Sequence, residues 1–147
     1  MVQERNGSQE HYLSGCRLLH GYGGGELDFP AAVSEFRLAV EGGHTLAMIE
    51  LGRCLEHGIG VECDFESALE LYGRAASLGD MNGMYERGRC LEHGIGCVPD
   101  LVGALDCYRQ ASESGVSSAQ LRYGESLLEG IGCDRDLEGA LAWLHRA

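Results

Sequence analysis

"GRCLEHGIG" fills residues 52–60 and returns unchanged at residues 88–96. A nonapeptide written twice at a spacing of 36 residues admits three readings. Cys-x-x-His taken twice offers four metal ligands, Gly-x-Gly taken twice offers phosphate loops, and the copy as a whole offers a repeated structural unit. The residues around it distinguish these.

Laid against itself at 36, the chain aligns far more than the nonapeptide. Gly52, Gly88 and Gly124 coincide, as do Gly58, Gly94 and Gly130, then Gly60, Gly96 and Gly132. Asp64, Asp100 and Asp136 coincide, followed by Ala68, Ala104 and Ala140. Tyr72 matches Tyr108, Ala75 matches Ala111 and Ala147, and Gly79 matches Gly115. A degraded copy precedes these: "GCRLLHGYG" at 15–23 echoes the nonapeptide at a shift of 37, and the shift returns to 36 at Asp28, Ala32, Phe36, Ala39 and Gly43. The last copy, "GESLLEGIG" at 124–132, keeps the glycines and discards both Cys and His. What recurs is therefore what backbone and packing need, and the chemistry-bearing side chains come and go.

Each unit reads as two helices. In the second copy the first helix is expected from about Thr45 to His57, ended by Gly58 in a left-handed cap. Asp64 is an N-cap, and Ala68, Leu71, Tyr72 and Ala75 mark one face of a second helix from about Phe65 to Leu78. Pro30 and Pro99 stand near the starts of second helices, where proline is tolerated. Gly52, Gly88 and Gly124 fall mid-helix, at a cost of about 1 kcal/mol each relative to Ala, which points to close helix contact there. A period of this length built from helix pairs means a solenoid, in which stacking supplies the core that one pair lacks. The expectation is an all-α solenoid of about eight helices, the first at about 9–20 and the last from about Leu137 to the chain end. A polar tail is expected at 1–10 and repeats at 11–44, 45–80, 81–116 and 117–147.

The bulk numbers exclude several functions. At 147 residues the chain is one domain, with the 44% hydrophobic content of an ordinary globule. A formal charge of −12 argues against nucleic acid and anionic membrane as partners. All 11 basic residues other than His are Arg, so chemistry that needs a Lys is ruled out. No apolar run is long enough for a membrane span. The polar start "MVQERNGSQE" lacks the apolar core of a secretory signal, so the expected location is cytoplasmic and the sequon at Asn6 is read as chance. Seven Cys, an odd number, suit small buried hydrophobes better than a disulfide framework.

The second copy, "LAMIELGRCLEHGIGVECDFESALELYGRAASLG" at 46–79, resembles the Sel-1-like repeat, a relative of the tetratricopeptide repeat with a slightly longer unit. The third copy departs from that pattern at Gly83, where the family has Ala, and at Arg87, where it has Leu. The resemblance covers about residues 11–147. It implies a right-handed α-solenoid acting as a scaffold or adaptor, with partners in a concave groove lined by the first helices. Some cysteine-rich relatives join adjacent repeats by disulfides; the corresponding slots here hold Ala76 with Met84 and Ser112 with Ala119, so that pattern is absent.

The chemical readings weaken against this frame. Equivalent positions of stacked repeats lie about 10 Å apart, too far for Cys54, His57, Cys90 and His93 to share one ion at about 2.0–2.3 Å. No metal or other cofactor is expected. "GIGVEC" follows a helix instead of a strand and lacks the third Gly of a dinucleotide loop. A Cys with a His three positions on has no visible third orienting group, so no enzyme activity is expected. Recognition is left. Repeat-aligned first-helix positions read as non-core are Glu50, Glu86 and Arg122; Arg53, Arg89 and Glu125; Glu56, Glu92 and Leu128. Tyr85, His57 and His93 flank them. The expected partner-binding set is Glu50, Arg53, Glu56, His57, Tyr85, Glu86, Arg89, Glu92, His93 and Arg122, a charged ladder suited to a basic or mixed-charge peptide or a partner domain. Glu50–Arg53 and Glu86–Arg89 can equally be i,i+3 braces worth about 0.2–0.5 kcal/mol each. The alternative function is structural, a self-associating part of a longer solenoid joined through the C-terminal repeat.

Overall fold

The computed structural model describes the backbone of residues 2–147 and the side chains from residue 7 onward. It contains eight helices among the described residues and no strand: α1 (Val2–His20), α2 (Phe29–Glu41), α3 (Thr45–His57), α4 (Phe65–Ser77), α5 (Met81–His93), α6 (Leu101–Glu113), α7 (Ser117–Glu129) and α8 (Leu137–Leu144). Each helix packs on its chain neighbours, and α3 also touches α5, so the pairs stack into an α-solenoid with first helices side by side. Two boundaries differ from expectation. Helix α1 begins at Val2, inside the expected polar tail, and α8 stops at Leu144, leaving Ala147 exposed. Met1 and the Asn6 side chain lie outside the described residues.

The caps fall where the sequence put them. Asp28, Asp64, Asp100 and Asp136 each accept a hydrogen bond from the backbone N–H three residues on, satisfying a donor at the start of α2, α4, α6 and α8. Gly58 caps α3 in the left-handed conformation at φ 66°, with the same geometry at Gly94 and Gly130. The second glycine of each turn serves a different end. A Cβ on Gly60 would lie 2.3 Å from the Phe29 carbonyl carbon, on Gly96 2.3 Å from the Phe65 carbonyl oxygen, and on Gly132 2.4 Å from that of Leu101. Each turn is thus pressed onto the start of the preceding repeat's second helix. The Gly-x-Gly of the nonapeptide is a helix cap followed by an inter-repeat contact.

The mid-helix glycines make the other tight contact. A Cβ on Gly15, Gly52, Gly88 or Gly124 would meet the side chain of Phe36, Tyr72, Tyr108 or Leu144 at 2.6–2.9 Å. These four side chains stand at one slot of the second helix, and Phe36, Tyr72 and Tyr108 are fully buried. Ala32, Ala68, Ala104 and Ala140 pack beside them, buried to 2% exposure or less. The departures in the third copy have local reasons. Gly83 is crowded by Ala75, whose Cβ would be 2.7 Å from an added one, while Arg87 is exposed where Leu51 is buried.

Candidate interaction groove

The first helices α3, α5 and α7 carry the charged ladder, and its members are joined across repeats. Arg53 donates from Nη1 to Glu50 at 3.1 Å and from Nη2 to Glu86 on α5 at 2.8 Å. Arg89 on α5 reaches back to Glu56 on α3, at 2.8 Å from Nη1 and 2.5 Å from Nη2, and donates from Nε to Glu86 at 2.9 Å. Arg122 on α7 does the same to Glu92 on α5 and holds Glu125 at 2.8 Å. The hydroxyls of Tyr72 and Tyr108 complete the set, donating to Glu56 at 3.0 Å and to Glu92 at 2.6 Å.

This corrects the reading of the ladder as non-core. Glu56 and Glu86 are buried at 7% and 6% exposure, and the Glu92 side chain is only 9% exposed. Buried carboxylates are tolerated because each is paired and hydrogen-bonded. Burial alone would raise the Glu56 pKa, but Arg89 and Tyr72 hold it below the usual carboxylate range. Arg89 is raised, chiefly by its hydrogen bonds to Glu56. Both i,i+3 braces are present. The cross-repeat bonds, spanning 30 or 33 residues, were missed. One signal for them lies in the copies themselves: the second-helix slot holds Tyr only where the first helix offers Glu (Tyr72 with Glu56, Tyr108 with Glu92), and Phe36 or Leu144 where it offers Leu19 or Leu128.

The remaining expected residues keep accessible surface. His57 and His93 have side chains 60% and 55% exposed, Arg53 46% and Arg122 33%. Tyr85 is half-buried, its ring 5.7 Å from that of Tyr108. A pocket of about 420 Å³ opens where α1 meets α3, walled by Leu19, Phe29, Ile59, Glu50, Arg53 and His57. A wider concavity of about 560 Å³ lies between α4 and Arg87, and holds none of the ladder residues.

The Cys-x-x-His pairs do not converge. Cys54 and Cys90 point into the core at 1% and 0% exposure, while the histidines are at the helix ends in solvent. Burial pushes the Cys54 thiol up to about 11 and that of Cys90 up to about 12, the reverse of an activated thiolate. Among the described residues, no group of three or more His, Cys, Asp and Glu is placed to hold a metal ion, and no helix is long and apolar enough to cross a membrane.

A model of the Sel1 repeat matches residues 45–80, 82–116 and 117–147. The fold is similar to that of a Sel1 repeat protein from Oxalobacter formigenes, with TM-score 0.90 and 27% identity over 95% of this chain and 55% of that one. It is also similar to c5321, a protective antigen of uropathogenic Escherichia coli with an SLR fold, with TM-score 0.90 and 29% identity over 99% of this chain and 31% of that one. The chain thus spans about half and about a third of the length of these two neighbours. Helicobacter pylori cysteine rich protein B shares the fold at TM-score 0.62 and 21% identity, over 78% of this chain and 91% of that one. A search of curated protein sequences returns no match. Sel1 repeats generally form protein-interaction scaffolds, and a chain matched by their model over three consecutive units belongs to the Sel1 repeat family.

Proposed function

We propose that this chain is a non-enzymatic adaptor that receives a peptide or partner domain in the groove formed by its first helices. The observation that carries the reading is the groove's construction. Its buried ion pairs fix α3, α5 and α7 in register, and that rigid frame leaves Arg53, His57, His93 and Arg122 accessible along one face. A partner meeting a preorganised face loses less freedom on binding than one that must order it. The accessible part of the ladder carries both signs, Glu50 and Glu125 beside Arg53 and Arg122, which favours a mixed-charge segment. The cytoplasm suits the cysteines, since Cys54, Cys90 and Cys107 serve as small apolar groups of the core.

A second reading rests on α8, where Leu137 and Leu141 are 56% and 57% exposed. These leucines favour packing against a further repeat or a second copy. One experiment separates the two. Wild type, His57→Asp/His93→Asp and Leu137→Glu/Leu141→Glu variants, each checked for native helicity, are used to capture partners from a lysate and are sized by sedimentation. An adaptor loses its partner in the histidine variant alone. Dimers that dissolve only in the leucine variant, with the same captured proteins throughout, would overturn the groove reading in favour of the structural one.

A further inference from the structure

Among the described residues, the cross-repeat ion pairs are reciprocal at one junction and absent at the one before it. Between α3 and α5 the exchange is reciprocal: Arg53 reaches forward to Glu86, and Arg89 reaches back to Glu56. At the junction before it, the positions on α1 aligned with Arg53 and Glu56 are Cys16 and Leu19. Neither is ionic. At these aligned positions α1 offers no guanidinium to Glu50 and no carboxylate to Arg53: Glu50 is held by Arg53 alone, and Arg53 by Glu50 on its own helix and Glu86 ahead of it. Among the described residues, no hydrogen bond or ion pair joins α1 to Glu50 or Arg53. Exposure follows. The Arg53 side chain is 46% exposed against 26% for Arg89, and that of Glu50 20% against 8% for Glu86. The pocket of about 420 Å³ opens at this same junction, with Leu19, Phe29 and Ile59 as its apolar wall and Glu50 and Arg53 on its charged side.

We propose that this pocket is the specificity subsite of the groove, and that it takes a peptide segment with a bulky apolar side chain flanked by one basic and one acidic residue. The base pairs with Glu50, the acid with Arg53, and the apolar side chain lies against Leu19, Phe29 and Ile59. The partner thereby supplies the two charges that the neighbouring repeat supplies at the next junction. The choice of a peptide rests on the adaptor reading above. Charge complementarity of this kind, with one acid and one base fixed one helical turn apart, selects on both sign and spacing.

The test uses the whole chain, uniformly ¹⁵N-labelled, titrated with capped tripeptides and followed by amide shifts. Ac-Arg-Leu-Glu-NH2 and Ac-Glu-Leu-Arg-NH2 present both orders of charge, Ac-Gln-Leu-Gln-NH2 removes it, and free leucine supplies the charges without a peptide. At least one charged peptide is expected to shift amides of residues 50–59 with a Kd tenfold or more below that of the neutral one. The variant Cys16→Arg/Leu19→Glu completes the register with the chain's own side chains, and is expected to keep its helicity and lose tenfold or more in affinity. Because Leu19 packs against the core, Glu50→Gln provides a second variant that keeps the side-chain shape; it is expected to reduce the charged peptide to the level of the neutral one. Equal binding of charged and neutral peptides, a folded completed variant that binds as wild type does, or free leucine binding as tightly as the peptides would each overturn the proposal. So would the absence of any shift. If His57→Asp/His93→Asp still releases a captured partner in that case, the adaptor reading stands and only the subsite falls.

Discussion

Gly88 shows how much one missing side chain decides. Glycine inside a helix costs about 1 kcal/mol relative to Ala, yet here the Tyr108 ring occupies the space a side chain would fill, with the Cys107 Cβ 3.0 Å from an added one. Gly88→Leu is therefore expected to lose about 3 kcal/mol or more, since forcing bulk into a packed contact outweighs the gain in helix propensity. Gly73 is the internal control. It also lies inside a helix, but a Cβ there meets nothing within 4 Å. Gly73→Ala is expected to raise stability by about 0.5–1 kcal/mol. Urea titrations of the two variants check both signs, and a Gly88→Leu protein as stable as wild type would remove the packing claim. The same logic explains why the nonapeptide is copied whole: Gly52, Gly58 and Gly60 each answer a separate spatial demand, and Cys54 fills a core site between them.

At the scale of the helix, the ends carry the pH dependence. His44 caps α3: its Nδ1 accepts from the Ala47 N–H at 3.3 Å, its Nε2 donates to Gln9 at 2.7 Å, and its ring stacks on Tyr12. Protonating Nδ1 abolishes that cap, and burial lowers the His44 pKa. A histidine whose folded pKa lies below the unfolded value of about 6.5 contributes stability that is complete above about pH 6.5. That contribution is lost as pH falls through the folded value. His44→Asp, which repeats the cap used by Asp80 on α5, is expected to flatten the fall in Tm between pH 7.5 and 5.5, whereas His44→Ala loses about 1 kcal/mol already at pH 7.5. Parallel curves for wild type and His44→Asp would assign the slope to other groups. The element pattern itself was readable because caps and turns are local: Asp64 and Gly58 announce their roles within a few residues. The fate of the ladder was not, because burial of Glu56 and Glu86 depends on partners 33 residues away, and Glu50, also aligned, stays more open. Charge at a repeat-aligned position signals the slot but not its occupancy. The pairing of Tyr72 with Glu56 and Tyr108 with Glu92 was the one clue available within the chain.

Over the whole molecule, stability is distributed along the stack, because each repeat contacts mainly its neighbours. The junctions are unequal. Between α3 and α5 two reciprocal ion pairs lie over the apolar core; between α1 and α3 no ion pair joins the first helices among the described residues; and α8 has eight residues with only Ala140 buried. Opening should therefore begin at the ends. Amides of α1 and α8 are expected to exchange through openings of lower free energy than those of α3–α6, read by native-state hydrogen exchange. Arg89→Met sharpens the test by leaving Glu56 and Glu86 without their shared cation. Because Arg89 stays about a quarter exposed, the loss is expected at about 2 kcal/mol, below the roughly 3–5 kcal/mol of a fully enclosed pair. In a stack coupled through nearest neighbours this loss is expected in the protection of α3–α5, with the α8 amides unchanged. Equal protection from α1 to α8, lowered equally by Arg89→Met, would instead mean that the repeats open as one cooperative unit and that the ion-pair register does not divide the stack.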